Sequence, residues 1–146
     1  MEIAVNNTEG FRFTTAFIEK LFRVISTVLP RFKRGIVSVA FVGNRTIRRL
    51  NARYRQKDAV TDVLSFPEMQ QIRTVRRGQF LGEIIISYPR ARSQARERGE
   101  AVSRELVRLL VHGFLHLVGY DHRGVRDARK MEAQEGRVIR LFERKK

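Results

Sequence analysis

The amino-acid sequence predicts an α+β domain: a small mixed β-sheet of about four strands packed with five or so helices, with a metal site on a central buried helix. Three observations lead there. Strand-like and helix-like patterns are intermixed without the regular alternation of βαβ units. The segment from about Ala101 to Val118 is apolar almost all round, the mark of a helix enclosed by core. All three histidines of the chain fall between His112 and His122, at the end of that helix.

Taken in order, a short apolar opening at Ile3 to Val5 precedes Phe17, Ile18, Leu21, Phe22, Ile25, Val28 and Leu29, which recur at helical spacing and stop at Pro30. Ile36 to Val42 alternates and is rich in β-branched residues, so it reads as a strand. Asn44 is placed to cap a following helix that carries Ile47, Leu50 and Tyr54. Val63 to Phe66 and Ile84 to Ile86 are short apolar runs bounded by Pro67 and Gly82, two strands flanking a polar loop from Glu68 to Gln79. Ser87 to Arg98 reads as a basic helix ending at Gly99, and Gly119 stops the buried helix. The last helix spans about Val125 to Phe142, with Ala128, Met131, Val138 and Phe142 on one side.

At 146 residues, without repeats, low-complexity segments or a Pro-rich linker, the chain 1–146 reads as one domain whose binding and chemistry share one body. Thirty Lys and Arg against fifteen Asp and Glu give a formal net charge of +15. A field that positive draws polyanions, and nucleic acid is the expected partner, although charge does not choose between RNA and DNA. No basic amphipathic anchor and no apolar run near the ~20 residues that cross a bilayer stand beside it, so no membrane partner is expected. MEIAVNN lacks the order of a signal peptide, and a cytoplasmic location is the expectation. With no cysteine in the chain, any metal must sit on imidazole or carboxylate.

His112 and His116, four residues apart, project from one face of the buried helix, one turn apart, as a single tetrahedral ion requires. Gly119 lets the backbone reverse, which brings His122 to the same ion and leaves the fourth position for water. Arg104, Arg108, His112 and His116 form the polar stripe of this helix. One divalent ion per chain, zinc first among the candidates, is therefore expected on His112, His116 and His122. The spacing H-x-x-x-H-x-x-G-x-x-H is shared with metzincin-type proteases, where a glutamate base follows the first histidine. Gly113 stands there in this chain, so the peptide-cleaving helper is missing.

The string from His112 to His122 resembles the H-G-x-L-H-L-x-G-Y-D-H signature of the YbeY family of bacterial endoribonucleases, met by His112, Gly113, Leu115, His116, Leu117, Gly119, Tyr120, Asp121 and His122. Asn51, Tyr54, Arg55, Lys57 and Asp58, followed by Thr61-Asp-Val-Leu-Ser-Phe-Pro67, is similar to the family's N-x-x-Y-R-x-K-D-x-x-T-[DN]-V-L-S-F-P segment. Leu81-Gly-Glu-Ile-Ile-Ile-Ser87 is close to its L-G-D-I-x-I-S. Glu83 replaces the usual aspartate, and Ala59-Val60 precede Thr61 where a proline is common. Neither departure touches the candidate ligands.

The resemblance implies a single-strand-specific, metal-dependent endoribonuclease of rRNA maturation, acting at the 3′ end of small-subunit rRNA and in ribosome quality control. Its partners are then single-stranded RNA, rRNA and the pre-ribosomal small subunit. It implies zinc on the three histidines and makes Arg55 a functional residue of the substrate groove, so Arg55 and His112 are the candidate catalytic residues. A guanidinium in a loop before a strand suits phosphate, because its planar fork makes two charge-assisted bonds, yet Arg55 alone also reads as a solvated surface charge. Asp121 reads equally as an acceptor that orients a ligand and as a turn residue. Asp62 is left as a cap, an ion-pair partner or a residue approaching the site. Phe66, Phe80, Phe114 and Tyr120 are candidate stacking rings, though such positions are more often core. The competing functions are an RNA-binding ribosome-assembly factor with stabilising zinc, and a metallopeptidase.

Overall fold

A computed structural model describes residues 1–69, 72 and 74–145. The expected polar loop from Glu68 to Gln79 includes positions 70, 71 and 73, which lie outside the described residues.

The strands are β1 (Glu2–Asn6), β2 (Ile36–Val42), β3 (Val63–Pro67) and β4 (Phe80–Ser87), in one sheet of order β1-β2-β4-β3. β1, β2 and β4 run parallel, and β3 is antiparallel to β4. The helices are α1 (Ala16–Val28), α2 (Asn44–Arg55), α3 (Tyr88–Arg98), α4 (Val102–Leu117) and α5 (Val125–Arg144). The α+β reading with a mixed four-stranded sheet and five α-helices holds, and one element is added, a 3₁₀ turn at Pro30–Phe32.

One sheet face presents Val37, Val39, Phe41, Ile84 and Ile86 to α1 and α4, and the opposite face presents Ala40, Leu64 and Ile85 to Ile47 of α2. The period-two alternation read in β2 is the physical cause of this division. α4 packs on β3 and β4 and also against α1 and α5, which is why its sequence has so little polar surface. Phe114 in its last turn meets the rings of Phe22 and Phe32 edge-on, each at 5.9 Å between centroids.

Three local expectations are corrected. Gly82 does not bound β4 but lies inside it, just past a register shift opposite Ile36/Val37. Its φ is +140°, and a Cβ there would stand 2.4 Å from the Phe66 carbonyl oxygen, so only glycine lets β3 and β4 close. Asn44 does not cap α2: the N-cap is Gly43, whose N–H donates to Glu9 Oε2, while Asn44 Oδ1 accepts from the Ser87 hydroxyl. Ser87 belongs to β4, not to the helix. It is the buried N-cap of α3, accepting from the Arg90 N–H, and its contact with Asn44 ties the starts of α2 and α3 together.

Candidate metal centre

α4 ends in a left-handed reversal. Gly119, at φ +102°, donates its N–H to the His116 carbonyl, and the Tyr120 N–H reaches back to Leu115. This pair of bonds is a Schellman motif, satisfying two carbonyls that the helix end would orphan. Tyr120 then packs on the core, and the chain returns across the helix end with His122.

The reversal brings together the three predicted ligands. Ring centroids are 4.6 Å apart for His112 and His116, 5.3 Å for His112 and His122, and 5.5 Å for His116 and His122. One nitrogen from each lies within 4.8 Å of the others, a set that could hold a metal ion. His112 and His116 are partly buried and His122 is exposed, so the cluster opens to solvent on one side. Three imidazoles and no fourth protein ligand among the described residues match the donor set of an open zinc site rather than a closed structural one.

Electrostatics keeps the cluster ready for a cation. Burial pushes the His116 pKa below its ordinary value, and the proximity of His112 and His122 pushes it further, with Asp121 opposing. A neutral imidazole is the form that ligates. The positive charge of Arg55 adds the smallest part of the same depression. Arg55 is not in a loop as expected; it is the last residue of α2, exposed, with Gln56 following in the left-handed region at φ 58°.

One residue of the site escaped the sequence reading. Glu135 of α5 places Oε1 3.0 Å from His112 Nδ1. With Nδ1 bound to a carboxylate, the ring is fixed as the tautomer that turns its Nε2 lone pair outward for a metal. The signal is in the sequence: Ala128, Met131, Val138 and Phe142 form one stripe of the last helix, and position 135 lies on the same stripe. A carboxylate at a core-facing position needs a partner, and His112 is it.

The structure also explains Gly113. A Cβ there would meet Ile84 Cγ2 at 2.8 Å and Ser65 Oγ at 3.2 Å. The Ser65 hydroxyl donates to the Gly113 carbonyl at 3.0 Å, so α4 and β3 touch backbone to side chain. No glutamate fits at 113 without forcing the helix off the sheet. Asp121 acts as a turn residue: Oδ1 accepts from the His122 N–H, and Oδ2 pairs with Arg123. Asp62 holds the entry of β3, accepting from Val63 N–H and from Gln94 of α3, and does not join the cluster. Phe114 is core, whereas Phe80 is 41% exposed and a further ring, Tyr54, is 53% exposed.

A domain of this fold with a three-histidine cluster at a reversed helix end defines a candidate metal-dependent hydrolase. Comparison with known proteins narrows the class. The family model described as Endoribonuclease YbeY matches residues 4–143. Proteins named Endoribonuclease YbeY from Bacillus thuringiensis and Bacillus cereus are each 45% identical to this chain over 112 residues, covering 73% of it and 72% of the relative. A Thermotoga maritima protein solved in solution aligns over 97% of this chain and 91% of its own, at 26% identity and a TM-score of 0.63. This chain belongs to the YbeY endoribonuclease family.

Proposed function

We propose that residues 1–146 act as one domain, a metal-dependent endoribonuclease that cuts single-stranded RNA in the cytoplasm. Its role is the maturation of the 3′ end of small-subunit rRNA and ribosome quality control, with the pre-ribosomal small subunit as the larger partner. One zinc ion per chain is held by His112, His116 and His122. The observation that carries this reading is the convergence of three imidazole nitrogens within 4.8 Å of one another. Family membership supplies the reaction class, and the charge of +15 supplies the attraction for a polyanion.

Zinc, when bound, supplies Lewis acidity that favours ionisation of water near neutral pH and withdraws charge from a phosphate oxygen. The chain's own groups do the rest. Glu135 fixes the His112 ring, and burial of His116 holds its nitrogen unprotonated. Arg55 grips the phosphate and stabilises the charge that develops on it, a contribution that grows toward the transition state. The Gly113 position, closed by Ile84 and Ser65, speaks against peptide cleavage by the metzincin route.

The test is incubation of chelated and zinc-loaded protein with single-stranded and duplex RNA, wild type beside Arg55→Ala and His116→Ala. The proposal expects zinc-dependent cleavage of the single strand alone. His116→Ala should lose zinc and cleavage together, and Arg55→Ala should keep zinc and lose rate. RNA binding without cleavage, with zinc raising only the melting temperature, would instead identify a stabilised assembly factor.

A further inference from the structure

We propose that the outward face of α2 is a track for single-stranded RNA, formed by Arg45, Arg49 and Arg53 with the Tyr54 ring at its end, leading the strand away from the histidine cluster. The proposal rests on the endoribonuclease reading and adds where the flanking RNA lies.

Residues 45, 49 and 53 recur one per helical turn, about 6 Å apart along the axis, so their guanidinium groups form a single file. All three are exposed. Among the described residues none of them is ion-paired, whereas Arg48 is tied to Asp58, and Arg98, Arg104, Arg108 and Arg123 all hold carboxylates. Three neighbouring cations left free on a helix that contains no acidic residue repel one another and are relieved by a polyanion.

The file ends on an aromatic ring. Tyr54 is 53% exposed, its ring 5.3 Å from Phe66 and 5.4 Å from the Arg53 guanidinium carbon. An accessible ring braced from below and flanked by a cation is a surface on which an unpaired base stacks. Phe66, on which Tyr54 rests, belongs to β3, and its neighbour Ser65 donates to the carbonyl of Gly113, the residue after His112, so the end of the file lies against the strand on which the histidine helix packs. A bilayer is a poorer match, because α2 already spends its apolar side, Ile47 and Leu50, on the sheet and has none to insert. Duplex RNA displays no unstacked base for Tyr54.

The test measures binding of an unstructured RNA oligonucleotide to the zinc-loaded full chain as salt is raised. Three proteins are compared: wild type, a triple Arg45→Gln, Arg49→Gln, Arg53→Gln variant, and a triple Arg137→Gln, Arg140→Gln, Arg144→Gln variant on α5. Both triples remove the same charge from exposed helix positions. Each lost phosphate contact on a single strand reduces the slope of log affinity against log salt by ~0.7, so the α2 triple should lose about 2 and the α5 triple much less. Tyr54→Leu should weaken binding about tenfold without changing the slope. Melting temperatures verify folding of each variant. Equal slopes for the two triples would overturn the track and leave only net charge, as would unchanged RNA binding by the α2 triple, which would point to a protein partner for that face. Wild type that cleaves while the α2 triple keeps the wild-type slope sinks the track alone. Wild type that neither binds nor cleaves RNA sinks the parent reading as well.

Discussion

Along one polar stripe of α4, two guanidinium groups and two imidazoles meet opposite fates. Arg104 and Arg108 are surrounded by carboxylates: Arg108 bonds Glu100 and Glu105, and Arg104 pairs with Glu143 and more distantly with Glu100. Glu105 is only 2% exposed and also takes Arg98. One turn further along, His112 has a single carboxylate, Glu135, and His116 has none among the described residues. The first half of the stripe is electrically closed and fastens α3 to α4. The second half leaves imidazole nitrogens open beyond the one that Glu135 engages, as the proposed metal site requires. In a buried helix, polar groups that satisfy one another are structural, and polar groups that converge without satisfying one another mark the site.

The largest effect is expected of His116→Ala. Zinc at about 100 times its Kd should stabilise the wild type by about 2.7 kcal/mol and the variant not at all, as thermal melts with and without metal will show. Next comes the closed half. Glu105→Ala leaves the partly buried Arg108 short of a partner and should cost about 3 kcal/mol in denaturant titrations while zinc binding persists. An unaltered stability would mean that Arg98 and Arg108 simply turn to solvent.

Glu135→Gln stands between the halves. It should weaken zinc about 10- to 100-fold by competition titration while barely moving the melting temperature of the metal-free protein. Equal losses in both would reassign Glu135 to packing. The smallest effect concerns acid. The Arg108 hydrogen bond holds the Glu100 carboxyl below its usual pKa. A lowered folded-state pKa contributes stability that is complete above the ordinary glutamate range and is lost as pH falls through the folded value. Glu100→Gln should therefore flatten the acid limb of a stability-against-pH curve and leave the neutral region nearly unchanged. Because Glu100 and Arg104 remain in contact with solvent, the change will be modest.

Much of this was legible in the sequence because it rests on local rules. The order of helices, the Gly119 reversal and the shared face of His112 and His116 follow from spacing and from the conformational freedom of one glycine. What was not legible depends on partners distant in sequence. Asn44 has a side chain suited to capping, yet Ser87 claims it from across the fold. Gly82 reads as a boundary until the close approach of Phe66 shows that it is a bulge inside a strand. Gly113 reads as a missing base, and only the packing of Ile84 and Ser65 shows why nothing larger stands there. Glu135 sits twenty-three residues from His112 on another helix, and its partner could not be named from pattern alone.

X-ray absorption at the zinc edge of the loaded protein tests the central claim most directly. The account predicts three imidazole nitrogens at about 2.0–2.1 Å with one further light ligand from solvent, and loss of one nitrogen shell member in His122→Ala. A spectrum with carboxylate as the main donor, or one unchanged by His122→Ala, would contradict it.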